Sequence, residues 1–162
     1  MIKAILACDE EGGVSKEGSI PWPKNTKDLG WFKKNTINNV VVMGSKTWID
    51  PLMPWPLPNR INVLATTKKE KFPGADKYIK GNLKKEVIKI KKDNKDKTIW
   101  IIGGPNIIEQ TLGVVEEFYL SRIPGKYDCD GFLSLEKIEN IFEKTWIEQH
   151  ETVEFQIWKK KK

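Results

Sequence analysis

Asp28 is the position hardest to explain as ordinary surface. At about 100° per residue, a helix over residues 26–35 projects Asp28, Leu29 and Phe32 from one face. A carboxylate beside Leu and Phe is costly to bury without a partner. Two readings stand side by side. One is a first-turn acid favoured by the helix macrodipole. The other is a carboxylate at the floor of an apolar pocket, with a raised pKa, awaiting a cationic or amidine-like ligand. Arg60 also invites chemistry, being one of two arginines in a chain with 26 lysines. It closes the proline-stiffened segment PLPNR, and its planar fork suits a ligand carboxylate.

Two strand–glycine–helix junctions could bring backbone N–H groups to a phosphate. The first is IWII running into Gly103-Gly104-Pro105 and then NIIEQTL. It lacks the G-x-G-x-x-G of a dinucleotide fingerprint, so a plain tight turn is the competing account. The second is VVVMGSKTW, residues 40–48. A P-loop is excluded there, because Ser45 and Val40 occupy positions that motif reserves for glycine. Ser45, Lys46 and Thr47 still offer hydroxyl and ammonium contacts. Residues 9–22 form a long loop with Gly12, Gly13 and Gly18, of the kind that serves as a lid or a flexible connection.

These residues need a scaffold, and short β-branched runs supply its strands at 2–7, 40–43, 61–65, 98–102, 118–123 and 152–158. Helical patterns lie between them at 26–35 (after a capping Asn25 or Thr26), at 83–92 and at 105–112, where proline opens the first turn. The alternation predicts an α/β fold, a central mostly parallel mixed sheet with an antiparallel C-terminal strand and helices on both faces. Ligands in such folds gather at the carboxyl ends of the central strands.

Composition narrows the classes. The chain has 162 residues, 28 basic and 22 acidic, for a net charge of +6. One domain over 1–162 is expected, with no repeat or linker. No apolar run approaches the ~18 residues of a membrane span, and the N-terminal stretch turns acidic too early for a signal peptide. With two cysteines and one histidine, neither a disulfide framework nor a usual metal site is expected. Residues 68–97 carry twelve lysines against five acids, whereas 98–158 carry four basic and eleven acidic residues. The lysines are interleaved with acids and sit in no nucleic-acid motif, so a solvated face is expected and no nucleic acid partner.

In this order the segments resemble one family, dihydrofolate reductase. They are IKAILA, SIPW, KDLGWFKKNT, VVVMGSKTW, PLPNR, INVLATT, WIIGGPNIIEQ and FYLSRI, from residue 2 to residue 123. The resemblance implies reduction of 7,8-dihydrofolate with NADPH by a cytoplasmic monomer. Asp28 then looks like the pterin carboxylate, with Trp22 and Ser121 where the family positions a water and a hydroxyl. Ile5, Ala7, Leu29, Phe32, Leu57 and Ile102 would wall the substrate pocket, and Arg60 would grip the glutamate α-carboxylate.

On the cofactor side the resemblance implies Ala7, Val14, Ser15, Gly18 and Ser19 near the nicotinamide. Gly44, Ser45, Lys46 and Thr47 would form one diphosphate junction. Ile102, Gly103, Gly104, Pro105, Asn106, Ile107 and Ile108 would form the other, with a cis Gly103-Gly104 bond expected. Thr66 and Thr67, with Lys68, would meet the adenosine 2′-phosphate. The chain departs from the family in places. Pro105 replaces a common third glycine and removes an N–H. Ile108 replaces a frequent tyrosine. Ser45-Lys46 lacks a frequent arginine. Residues 49–55 look about two residues longer than in compact members. Two rivals are kept: a same-fold riboflavin-pathway reductase, and a catalytically silent nucleic-acid binder.

Overall fold

The computed structural model describes residues 1–52 and 56–162. Met53 and Trp55, within the long segment noted above, lie outside the described residues. The elements in order are β1 (Ile2–Cys8), β2 (Gly13–Ser15), α1 (Thr26–Thr36), β3 (Val40–Gly44), α2 (Ser45–Trp48), β4 (Ile61–Ala65) and β5 (Lys77–Ile79). There follow α3 (Leu83–Asp93), β6 (Ile99–Gly103), α4 (Pro105–Thr111), β7 (Glu117–Arg122), β8 (Gly131–Phe132), α5 (Leu135–Ile141), β9 (Phe142–Gln149) and β10 (Glu154–Lys160). Every strand and helix expected from the sequence is present, with ends shifted by a few residues. The additional elements have physical reasons to be silent: β2, β5 and β8 span only two or three residues. Strand β9 is exposed along all but its first residue, so no burial alternation marks it.

Eight strands form one sheet in the order β5-β4-β3-β6-β1-β7-β10-β9. The six from β5 to β7 pair in parallel, and β10 runs antiparallel to both β7 and β9. This is the predicted mixed sheet. Strands β2 and β8 pair separately. In β3 and β6 all five residues are buried, as parallel strands covered on both faces require.

Register assigns the two faces. Ile5, Val41, Met43, Leu64, Trp100 and Ile102 pack on one face under Trp31 and Phe32 of α1. On the other, Ala4, Val42, Ile101 and Leu120 pack against Val87 of α3, Ile108 of α4 and Ile138 of α5. The connections after β3 and after β6 run in opposite directions across the sheet, so the carboxyl ends of these adjacent strands bound a crevice.

The base of the 9–22 loop is pinned by Asp9, which is 1% exposed. Its Oδ1 accepts the N–H groups of Glu11 (2.8 Å) and Gly13 (2.9 Å), and its Oδ2 accepts that of Tyr127 (3.2 Å). Gly13 is required there, because a Cβ would sit 2.5 Å from Cys129 Sγ. Burial pushes the Asp9 carboxyl up, but the N–H groups of Gly13, Glu11 and Tyr127 outweigh it and hold the carboxyl below its ordinary value of 3.8. A lowered folded pKa contributes stability that is present above the ordinary value and lost as pH falls through the folded one. Asp9→Ala is therefore expected to cost about 2 kcal/mol at pH 7, by leaving buried N–H groups unpaired. Denaturant unfolding of wild type and variant at pH 7 and pH 3 checks this. An equal difference at both pH values would contradict the charged pin.

Candidate functional site

Asp28 stands at the third position of α1, where Asn25 caps the helix by accepting the Asp28 N–H at 3.0 Å. An acid three residues after such a cap commonly folds back onto the cap's own N–H. Here the carboxyl is turned instead toward Ser121 on β7. Desolvation pushes Asp28 above the ordinary carboxylate range, the Ser121 hydroxyl opposes the rise, and no cation takes part. The two side chains influence each other at close range, but Ser121 Oγ is buried and forms no hydrogen bond of full geometry among the described residues.

The sheet aligns further partners. Ala7 pairs with Ser121, which pairs with Phe155 of β10. Trp22 is buried with Ile123, Val153 and Phe155, and Ala7 packs against that group. The structure thus brings Asp28, Ser121, Ala7 and Trp22 to one end of the sheet. Ile5, Leu57, Phe32 and Ile102 belong to the adjoining apolar cluster. Leu29 does not share that buried face. It lies one residue, hence about 100°, around the helix from Asp28 and is 40% exposed, placing it at the rim.

Arg60 meets the C-terminal end of α1, about two turns beyond Asp28. Its Nη1 donates to Thr36 Oγ1 (3.0 Å), its Nε donates to the Pro58 carbonyl (3.1 Å), and the guanidinium lies 6.0 Å from the Phe32 ring centroid. Partial burial lowers its pKa from the ordinary value, and no carboxylate pairs with it among the described residues. A half-dehydrated arginine without an anion is prepared for one. The segment carrying it is held by Asn62, 1% exposed. The Asn62 amide accepts from Leu57 N–H (2.9 Å) and donates to the Leu57 carbonyl (3.0 Å). Sequence reasoning missed this residue, although a polar side chain inside the apolar strand INVLA was the available signal.

The two glycine junctions meet at the crevice between β3 and β6. A Cβ on Gly44 would lie 2.9 Å from Ile107 Cγ1, and one on Gly103 would lie 3.6 Å from Thr47 Oγ1. Neither α2 nor α4 has a side-chain cap, so their first N–H groups face the crevice edge unclaimed by side chains. The Gly103-Gly104 bond is cis. Gly44 pairs with Ala65, which sets Ser45 and Lys46 beside Thr66 and Thr67 at the same edge. Lys46 and Thr67 are exposed, and Thr66 Oγ1 accepts the Lys68 N–H at 3.1 Å. Ser19 reaches across from the 9–22 loop and donates to Asp50 Oδ1 at 3.2 Å, while Gly18 is exposed at positive φ.

Two further positions of the expected cofactor side have side chains buried in the core. Ile108 is 1% exposed and packs with Leu112 and Ile138 under α4; Val14 is buried in the same cluster. Both are apolar side chains on elements that turn one face inward, so burial claims them first. Ser15, Pro105 and Ile107 are partly buried near the junctions, and Asn106 is exposed with its Oδ1 accepting from Gln110.

A family model described as dihydrofolate reductase matches residues 1–160. Dihydrofolate reductase of Drosophila melanogaster is 32% identical over 139 residues, covering 79% of this chain and 76% of the relative. Dihydrofolate reductase type 8 of Escherichia coli is 26% identical over 164 residues, covering 99% and 96%. A dihydrofolate reductase from Enterococcus faecalis, solved as a complex with NADP(H), superposes with a TM-score of 0.79 at 23% identity, over 100% of this chain and 97% of that one.

The raised Asp28 pKa has a measurable stability consequence. A carboxyl whose folded pKa is raised supports folding most when protonated and loses that support as pH rises through the folded value. Asparagine cannot ionise, so Asp28→Asn is expected to melt at a higher temperature than wild type at pH 7. The gain should vanish below about pH 3.8, the ordinary aspartate value. Calorimetry across that range checks it, and a variant less stable at pH 7 would contradict the desolvated carboxylate.

Proposed function

This chain belongs to the dihydrofolate reductase family, and on that premise we propose that it reduces 7,8-dihydrofolate to 5,6,7,8-tetrahydrofolate with NADPH. The observation that carries the proposal is Asp28, a partly desolvated carboxyl on the inward face of α1 with a hydroxyl beside it and no cation. A pterin offers adjacent N–H donors at its 2-amino group and N3, and one carboxylate can accept both. Its ring needs the apolar walls that Ile5, Phe32, Leu57 and Ile102 supply. The anionic tail needs a cation further out, where Arg60 stands.

NADPH, when bound, supplies the hydride and its electron pair to C6. The chain's residues handle geometry and the accompanying proton, which goes from water to N5. Asp28 binds and polarises the pterin, Ser121 steadies the carboxylate, and Trp22 shields the water beside it. The fit of a dinucleotide rests on the paired glycine junctions, whose following helices carry no side-chain cap, and on Ser45, Lys46, Thr47, Thr66 and Thr67 along one edge. Lysine is a point charge rather than a fork, so preference for the 2′-phosphate is looser than an arginine would give. The proposal extends to a single-domain monomer, since every group named comes from one chain, and to the cytoplasmic location that the family resemblance implies. The family match and the lone acid favour this over the riboflavin-pathway alternative.

Purified protein should oxidise NADPH only when dihydrofolate is added, followed by absorbance at 340 nm. Turnover of a phosphoribosyl-aminopyrimidine instead, or salt-sensitive nucleic-acid binding without turnover, would replace the proposal. Asp28→Asn should lower neutral-pH turnover by ~10²–10⁴-fold, as loss of an acid–base group does. Part of that activity should return at low pH, where substrate arrives protonated. Arg60→Leu should raise the KM for dihydrofolate more than it lowers kcat, because a tail remote from C6 is held alike in ground and transition states. A fall confined to kcat would exclude that role.

A further inference from the structure

A series of contacts ties the first two turns of α1, which carry Asp28, to the C-terminal hairpin. Asn25 uses both ends of its amide: Oδ1 accepts the Asp28 N–H at 3.0 Å, and Nδ2 donates to the Thr152 carbonyl at 2.9 Å. Thr152 lies in the turn between β9 and β10. Three residues on, Phe155 stacks on Trp31 with centroids 4.3 Å apart and planes 14° apart. Trp31 lies on α1 three residues after Asp28, and stacks also on Trp146 of β9 at 5.7 Å. Phe155 pairs with Ser121, whose hydroxyl faces the carboxyl. The first turn of α1 is therefore tied to the C-terminal hairpin from both sides of Asp28.

We infer that Asn25 is a positioning residue for the catalytic carboxylate, setting Asp28 against Ser121 by tethering the start of α1 to the β9–β10 turn at Thr152. The inference rests on the dihydrofolate reductase reading of the site and adds a residue that reading did not contain. The helix cap and the tether are separable. A serine at position 25 caps comparably well but lacks the amide that reaches Thr152. A cap-only residue would be replaced by serine without cost. A tether would not.

Among the described residues, the groups acting on the Asp28 carboxyl are the Ser121 hydroxyl of β7 and the apolar cover that desolvates it. No charged side chain of α1, β7 or the hairpin contributes. Released from the hairpin, the carboxyl gains water, and its pKa falls toward the ordinary value.

The test compares wild type, Asn25→Ser and Asn25→Ala by steady-state kinetics, thermal melting and ¹³C NMR titration of the labelled Asp28 carboxyl. Asn25→Ser should melt like wild type and Asn25→Ala lower. Both should lose kcat by roughly tenfold, short of the ~10² of a full ångström's misplacement. The KM for NADPH should not move in either, and in both the Asp28 titration should move down. Wild-type kcat with an unshifted titration in Asn25→Ser would overturn the inference. If wild type does not turn over dihydrofolate, the catalytic reading falls by that result alone. The titration of Asn25→Ser then still decides the tether.

Discussion

Desolvation of the Asp28 carboxyl, moderated by a serine hydroxyl and by no cation, sets the demand that the surrounding elements meet. An acid partly removed from water resists ionising, and at an ordinary surface it would swing outward. Here α1 is held down by Trp31 on Phe155 and by Asn25 on the hairpin turn. The parallel pairing of β1 with β7 then fixes Ser121 opposite. The hairpin is thus part of the site, although its strands carry none of the groups assigned to ligand contact.

The fold was legible where burial imposed a pattern. The all-buried runs of β3 and β6 are strongly apolar and β-branched, and Asp28 with Phe32 marked the inward face of α1 as a site with an acid in it. The glycine junctions were legible because close backbone approach excludes a Cβ, as at Gly44 against Ile107. Segments that bury little left no such mark, which is why β9 went unnoticed.

Positions governed by polar pins were only partly legible: Asn25 could be read as a helix cap, but not its second partner Thr152. Asp9, Asn25 and Asn62 each act by hydrogen bonds to backbone groups distant in sequence or in the next loop, and composition carries no trace of such partners. Ile108 and Val14 are apolar positions of the expected cofactor side whose side chains are buried. The family pattern sets them on the cofactor side, and their side chains pack in the core from inward faces. A motif fixes the backbone path more firmly than it fixes which side chains reach the cleft.

The uneven distribution of charge acquires a direction once the strand order is known. Residues 68–80, which contain the edge strand β5, carry five lysines against two acids, whereas residues 142–151, which contain the opposite edge strand β9, carry one lysine against three acids, with Lys159–Lys162 at the end of the neighbouring β10. The β5 edge is therefore the more lysine-rich of the two over these segments. A polyanionic ligand approaching from solution is drawn toward the β4 and β5 side. That is the side where Lys46, Thr66 and Thr67 line the carboxyl edge. Its rate of encounter should rise in dilute electrolyte and fall as the Debye length shrinks below the width of the sheet.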